Sequence, residues 1–151
     1  MPKILLTVPQ QIQQSDGDCL AACATMVLNY LNRPVAYATL LKILKIKSFG
    51  TPASNIRLLD QLKLSVTYRV TDMAGLESML VQGQPVIVFV RTSELPYWDY
   101  GTDHALVVVG CDDDNIYVND PNFAKAPISV PRGDFELAWL ERDYYYALIE
   151  A

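Results

Sequence analysis

The chain holds one histidine, His104, and three cysteines, Cys19, Cys23 and Cys111. Of the thiols, Cys19 has the address of a nucleophile. Asp16, Gly17 and Asp18 suit a turn, and Asp18 is a good N-cap for the apolar run that begins at Leu20, so a helix is expected to start at or beside Cys19. There the partial positive charge of unpaired N–H groups favours the thiolate, the form that attacks carbonyls. His104 stands at the head of an apolar strand, where an imidazole can take the thiol proton and later protonate a leaving amine at neutral pH. Asp120 is placed to hold that ring. A hairpin turn centred on Asp112 to Asp114 would bring His104 and Asp120 near the same end of two paired strands, with Asn119 alternating to the other face. Gln13, six residues before Cys19, could join the Cys19 backbone N–H in donating to a developing oxyanion if the intervening turn folds back. The chemistry this set could perform is acyl transfer through a Cys19 thioester.

Other uses of the same residue types fit less well. Cys23, one turn on, and Cys111, after a buried strand, read as small buried hydrophobes. A zinc set of Cys19, Cys23, Cys111 and His104 has no Cys-x2-Cys pair, and the Asp112 to Asp114 run lacks the spaced ligands of a calcium loop, so neither metal nor cofactor is expected. The segment around Pro96, Tyr97 and Trp98 lies beside the base, where it could line a cleft or merely pack; Tyr97 and Trp98 are the substrate-binding candidates.

The elements that must position these groups follow from periodicity and punctuation. Lys3 to Val8 reads as a short strand closed by Pro9, and Gln10 to Asp18 as a polar approach. The helix from Cys19 ends at Asn32-Arg33-Pro34 and has almost no polar face, so it should be buried on most sides. Further helices are expected over Val35 to Ile46 and, opened by Thr51-Pro52, over Ala53 to Leu62. Ser65 to Val70 alternates as a half-buried strand. Asp72 can cap a short helix ending near Gly83, and Val86 to Val90 is a buried strand. Arg91 to Asp103 reads as a long, flexible loop. Strands over His104 to Gly110, Asn115 to Asn119, Ile128 to Val130 and Tyr144 to Ile149, with a helix over Phe135 to Leu140, complete an α+β pattern: a helical lobe, then a mostly antiparallel sheet.

At 151 residues the chain has the size of one domain, expected to run over residues 1–151 and able to bury a core without disulfides or metal. A net charge of −5 argues against a nucleic-acid partner. Ile4-Leu5-Leu6 is too short for a signal h-region and no apolar run approaches a membrane span, so the default expectation is a cytoplasmic protein. Three cysteines, an odd count, suit a reducing compartment better than a disulfide framework.

The motifs QQSDGDCLAAC, DHALVVVG and VNDP, with Gln-x5-Cys opening an apolar helix and Asp-Pro following sixteen residues after the histidine, resemble the C39 peptidases. These are papain-like cysteine proteases that trim leader peptides from bacteriocins. The resemblance implies a papain-like fold, a peptide or protein substrate, and the roles of oxyanion donor, nucleophile, base and orienting acid for Gln13, Cys19, His104 and Asp120. Leu20 stands where that family usually has glycine after the cysteine. An acyltransferase or amidase on the same residues, and a non-catalytic peptide-binding module, are the alternative readings.

Overall fold

The structure is a computed structural model that describes residues 3–151. Its strands are β1 (Ile4–Leu5), β2 (Ser65–Val70), β3 (Val86–Arg91), β4 (Asp103–Cys111), β5 (Asn115–Asn119), β6 (Ile128–Pro131) and β7 (Tyr145–Glu150). Its α-helices are α1 (Cys19–Tyr30), α2 (Tyr37–Ile43), α3 (Met73–Val81) and α4 (Arg132–Leu140). The strands form one antiparallel sheet in the order β2-β7-β3-β4-β5-β6. β1 takes over the edge of β4 where β3 begins: Val86 pairs with Val108, while Ile4 and Leu5 pair with Cys111 and Gly110. The expected strand over residues 3–8 is therefore short, because only that stretch of edge is open to it.

Both faces of the sheet are buried. Strand alternation sends Ile87, Phe89, Ala105, Val107 and Val109 to one face, where α1, α2 and the Ala53–Leu62 segment cover them. Val86, Val88, Val90, Leu106 and Val108 face the other side, against α3 and α4 through Leu76, Leu80, Phe135 and Trp139. The nearly all-apolar α1 is buried from Leu20 to Leu28, as its composition requires. Among the described residues no helix is long and apolar enough to cross a membrane.

Several local expectations are corrected. Ala53–Leu62 is a 3-10 helix, not an α-helix. Its apolar residues, Ala53, Ile56, Leu59 and Leu62, recur every three positions, and only a three-residue turn sets all four on one line towards the core. α2 is shorter than expected because the chain turns left-handed at Lys45 (φ 56°). Asp18 occupies the N-cap position of α1 but its side chain caps nothing. With φ −96° and ψ 4° its backbone is not extended, so the carboxylate cannot reach back over the first turn and instead accepts from Tyr37 Oη at 3.4 Å. Asp72, extended at φ −129° and ψ −176°, does accept from the Gly75 N–H at 2.8 Å. The loop from Arg91 to Asp103 is pinned rather than loose. Buried Thr92 donates its hydroxyl to Tyr100 O, accepts from the Thr102 N–H, each at 2.8 Å, and donates its own N–H to Thr102 O at 3.0 Å, closing the loop at its base.

Candidate active site

Cys19 reaches the site because the turn before it is forced tight. A Cβ on Gly17 would lie 2.3 Å from Lys47 O, so only glycine lets the 13–18 turn pass beneath the 47–50 loop. The Asp18 N–H closes the turn on Ser15 O at 3.2 Å, and the Ala22 N–H begins α1 on Asp18 O at 3.0 Å. The thiol then meets the head of β4. It hydrogen-bonds to His104 and accepts from the backbone N–H groups of Ala105 and Leu20.

His104 and Asp120 come from the head of β4 and the residue after β5. Val107 pairs with Asn119, so Asp120 follows one residue beyond the ladder and His104 lies two residues off direct register, a diagonal neighbour. His104 Nε2 stands 2.7 Å from Asp120 Oδ1. A carboxylate only accepts, so Nε2 carries the proton and Nδ1 is left for the thiol. Both side chains are buried, Asp120 completely. Its four acceptor bonds are all made: Oδ1 takes His104 Nε2 and the Asn122 N–H at 2.9 Å, while Oδ2 takes Tyr97 Oη at 2.8 Å and Trp98 Nε1 at 2.9 Å. Asn119 points to the opposite face and donates to Val8 O at 3.1 Å.

These contacts set the charges. Burial works to raise the Cys19 pKa, but the hydrogen bond and charge of His104, helped by the two backbone donors, outweigh it and hold the thiol below its ordinary value. Burial likewise works to lower the His104 pKa, and Asp120 and Cys19 together carry it up to about 9. Asp120 resists the upward push of burial through His104, the Asn122 N–H and Trp98 and sits below the usual carboxylate range. Cys23 goes the other way: burial, then the neighbouring Cys19, push it well up. Burial also raises Cys111. One thiol of three is therefore tuned towards thiolate at neutral pH.

The groups open onto two adjoining cavities. The larger, about 510 Å³, is lined by Cys19, Leu20, Phe89 and Ala105 at its floor; the smaller, about 290 Å³, is lined by Gln13, Trp98 and Asn122. His104, Asp16 and Phe49 line both, and Phe49 stands at the rim 90% exposed. Gln13 is tied down by its own N–H, which donates to Pro121 O at 2.8 Å, and by Nε2, which donates to Ser15 O at 2.9 Å. Its Oε1 is buried without a partner. The other glutamines of the segment are placed elsewhere: Gln10 Nε2 donates to Asp120 O and Phe123 O, Gln11 bonds at the surface to Ile12 O, and Gln14 is exposed.

Of the residues singled out from sequence, Cys19, His104 and Asp120 are brought into one hydrogen-bonded chain, and Gln13 shares a cavity wall with His104. Tyr97 and Trp98 both turn to Asp120; Trp98 also packs edge-on to His104 at 4.9 Å and lines the smaller cavity, whereas Tyr97 lines neither. Sequence reasoning missed the Asn122 N–H, although Asp120-Pro121-Asn122 carries the signal for it: Asp then Pro opens a turn, closed by the Phe123 N–H on Asp120 O at 3.1 Å. It also missed Ala105 and Phe49, which nothing in the local pattern marks.

A thiol at the start of a buried helix, opposed by a histidine and an aspartate from an antiparallel sheet, defines the papain-like architecture. The chain belongs to the Peptidase C39 family, whose sequence profile matches residues 7–143. No curated protein matches it. Among solved structures it is similar to a protein of Bacillus anthracis described as a C39-like peptidase, with a TM-score of 0.85 and 18% identity over 100% of this chain and 98% of that one. It is also similar to the peptidase domain of Streptococcus ComA, a bifunctional ABC transporter involved in quorum sensing, with a TM-score of 0.77 and 19% identity over 93% of this chain and 96% of that one. A third likeness is to a double glycine motif protease from an AMS/PCAT transporter in complex with a leader peptide, with a TM-score of 0.71 and 19% identity over 99% of each chain. At these identities the likeness is one of fold.

Proposed function

We propose that the chain is a cysteine peptidase domain working on peptide or protein substrates in a reducing, cytoplasmic setting. The observation that carries this reading is the Cys19–His104–Asp120 chain, in which the one thiol with a lowered pKa is also the one hydrogen-bonded to the base. The Cys19 thiolate attacks the scissile carbonyl, and the carbonyl π pair moves onto oxygen. The Cys19 N–H and the Gln13 amide are the donors assigned to that oxyanion. As the oxyanion collapses, the C–N bond breaks, imidazolium His104 gives its proton to the leaving amine, and a Cys19 thioester remains. His104, now neutral, takes a proton from water; the hydroxide adds to the thioester carbonyl, the C–S bond breaks to return Cys19 as thiolate beside imidazolium His104, and the acid is released. Asp120 keeps its charge throughout and stabilises the imidazolium.

Alkylation followed by mass spectrometry tests this reading. A peptide carrying an electrophilic ketone should modify Cys19 at neutral pH, leave Cys23 and Cys111 untouched, and lose that selectivity on denaturation. Equal labelling of all three thiols would indicate a peptide-binding module without an activated nucleophile. Release of an amide with an added amine as acceptor, and none with water, would indicate an acyltransferase.

A further inference from the structure

The larger cavity has a charged end that the chemistry at Cys19 does not use. Arg91 closes β3 and pairs directly with Asp103 across the ladder, with Nη1 to Oδ1 at 3.3 Å. Extending the β3–β7 register from Val88 and Tyr146 carries the chain after α4 to the same end, and Arg142 Nη1 reaches the same Oδ1 at 3.9 Å. Two guanidiniums thus converge on one carboxylate oxygen, and Arg91 Nη2 also donates to Gly101 O at 3.4 Å. The existing pairing is loose: the Asp103 side chain is 62% exposed and both distances are long, so solvent screens it and a better acceptor can compete.

Asp16 and Asp103 line both cavities, whereas Arg91 and Arg142, held against Asp103, line only the larger one. The same cavity has an apolar lining in Phe89, Ala105, Leu20 and Ala53. Two arginines thus stand against a single carboxylate in a protein of net charge −5. An aliphatic stem ending in a carboxylate matches this cavity, since a guanidinium presents paired donors to a carboxylate with more directional strength than to a neutral amide.

We propose that Arg91 and Arg142 are specificity-determining residues, and that the larger cavity takes a glutamate or aspartate side chain of the peptide close to the scissile bond. The assignment rests on the peptidase reading above. It names the substrate class of that same site: peptides with an acidic residue within a few positions of the cleaved bond.

The test uses peptidyl ketone probes that differ only in Glu, Gln or Lys at the first, second or third residue before the electrophile, with Cys19 labelling followed by intact mass. At one of these positions the Glu probe should label about tenfold or more faster than its Gln isostere, the scale of one hydrogen-bonded charge pair, with the Lys probe slowest. That Glu:Gln ratio should shrink with added salt and approach one in Arg142→Gln and in Arg91→Gln. Equal Glu and Gln rates at all three positions in the parent protein would overturn the assignment, and need no variant to fold. A ratio that persists in both arginine variants would overturn it too. Iodoacetamide, which carries no side chain to recognise, separates the two levels. If it labels Cys19 no faster than an ordinary thiol, the peptidase reading itself fails; if it labels Cys19 fast and the Glu:Gln ratio is one, only the charge recognition fails.

Discussion

Asp120 has no exposed surface and four donors, and its contacts to His104 and Tyr97 each make a prediction. The proposed mechanism needs Cys19 deprotonated and His104 protonated, so activity should rise through the lowered Cys19 pKa and fall through about 9, where His104 titrates. Asp120→Asn keeps the shape but removes the charge that raises His104, so kcat should fall and the basic limb should move down from about 9 towards 6.5. Asn119→Ala should leave that limb in place, because its amide holds Val8 on the other face. A pH profile shifted by the Asn119 change and untouched by the Asp120 change would reverse the two roles. The same groups link pH to stability. The folded pKa of His104 is raised, so its contribution is full below about 6.5 and is lost as pH rises through about 9. That of Asp120 is lowered, so its contribution is full above about 3.9 and is lost as pH falls further. Tyr97→Phe removes one donor from the buried carboxylate and should cost about 1.5 to 3 kcal/mol of stability with kcat reduced, whereas a rim residue would alter KM alone. Gln13→Ala should lower kcat about 100-fold with KM little changed, and Gln14→Ala should cost almost nothing, as steady-state kinetics on a cleaved peptide would show.

Among the elements, close approach decides what the backbone tolerates. Gly17→Ala puts a methyl 2.3 Å from Lys47 O, so either the turn or the 47–50 loop must move; about 1 to 3 kcal/mol of stability and much of the Cys19 alkylation rate should go together. Gly133→Ala, inside α4 with nothing within 4 Å, should instead raise the melting temperature, since alanine is about 1 kcal/mol better than glycine in a helix. Equal melting shifts of one sign in the two variants would contradict this. Contacts of this kind explain what was legible in the sequence. Alternation, caps and turn residues located the helices and strands, because each is a local signal. The 3-10 turn of Ala53–Leu62 was present as a period of three but was masked by a Thr-Pro start that suits an α-helix equally well. The idle carboxylate of Asp18 was not legible, since capping depends on a backbone angle that Gly17 and the 47–50 loop impose from a distance. Tyr97 and Trp98 were found as residues beside the site, yet their direction is set by Thr92 closing the loop under them.

On the scale of the molecule, the site joins the first twenty residues to residues 104–123. Gln10 bonds to Asp120 O and Phe123 O, the Gln13 N–H to Pro121 O, and Asn119 to Val8 O, so the strap that leads to Cys19 lies directly on the turn that carries Asp120. Almost nothing along the chain is local in this arrangement. In a urea titration the alkylation rate of Cys19 should therefore collapse in the same transition as the loss of circular dichroism, a coincidence that sequential unfolding of the two faces would break.

The strap has a further meaning for the chain's own synthesis. A thiol lowered by His104 and by the Ala105 N–H cannot exist until residues more than eighty positions later have been made and folded against it. The nascent chain thus carries an ordinary, weakly nucleophilic cysteine while its helical lobe is still assembling. Reactive sulfur is born only once the head of β4 has docked against the start of α1, and its appearance reports that docking.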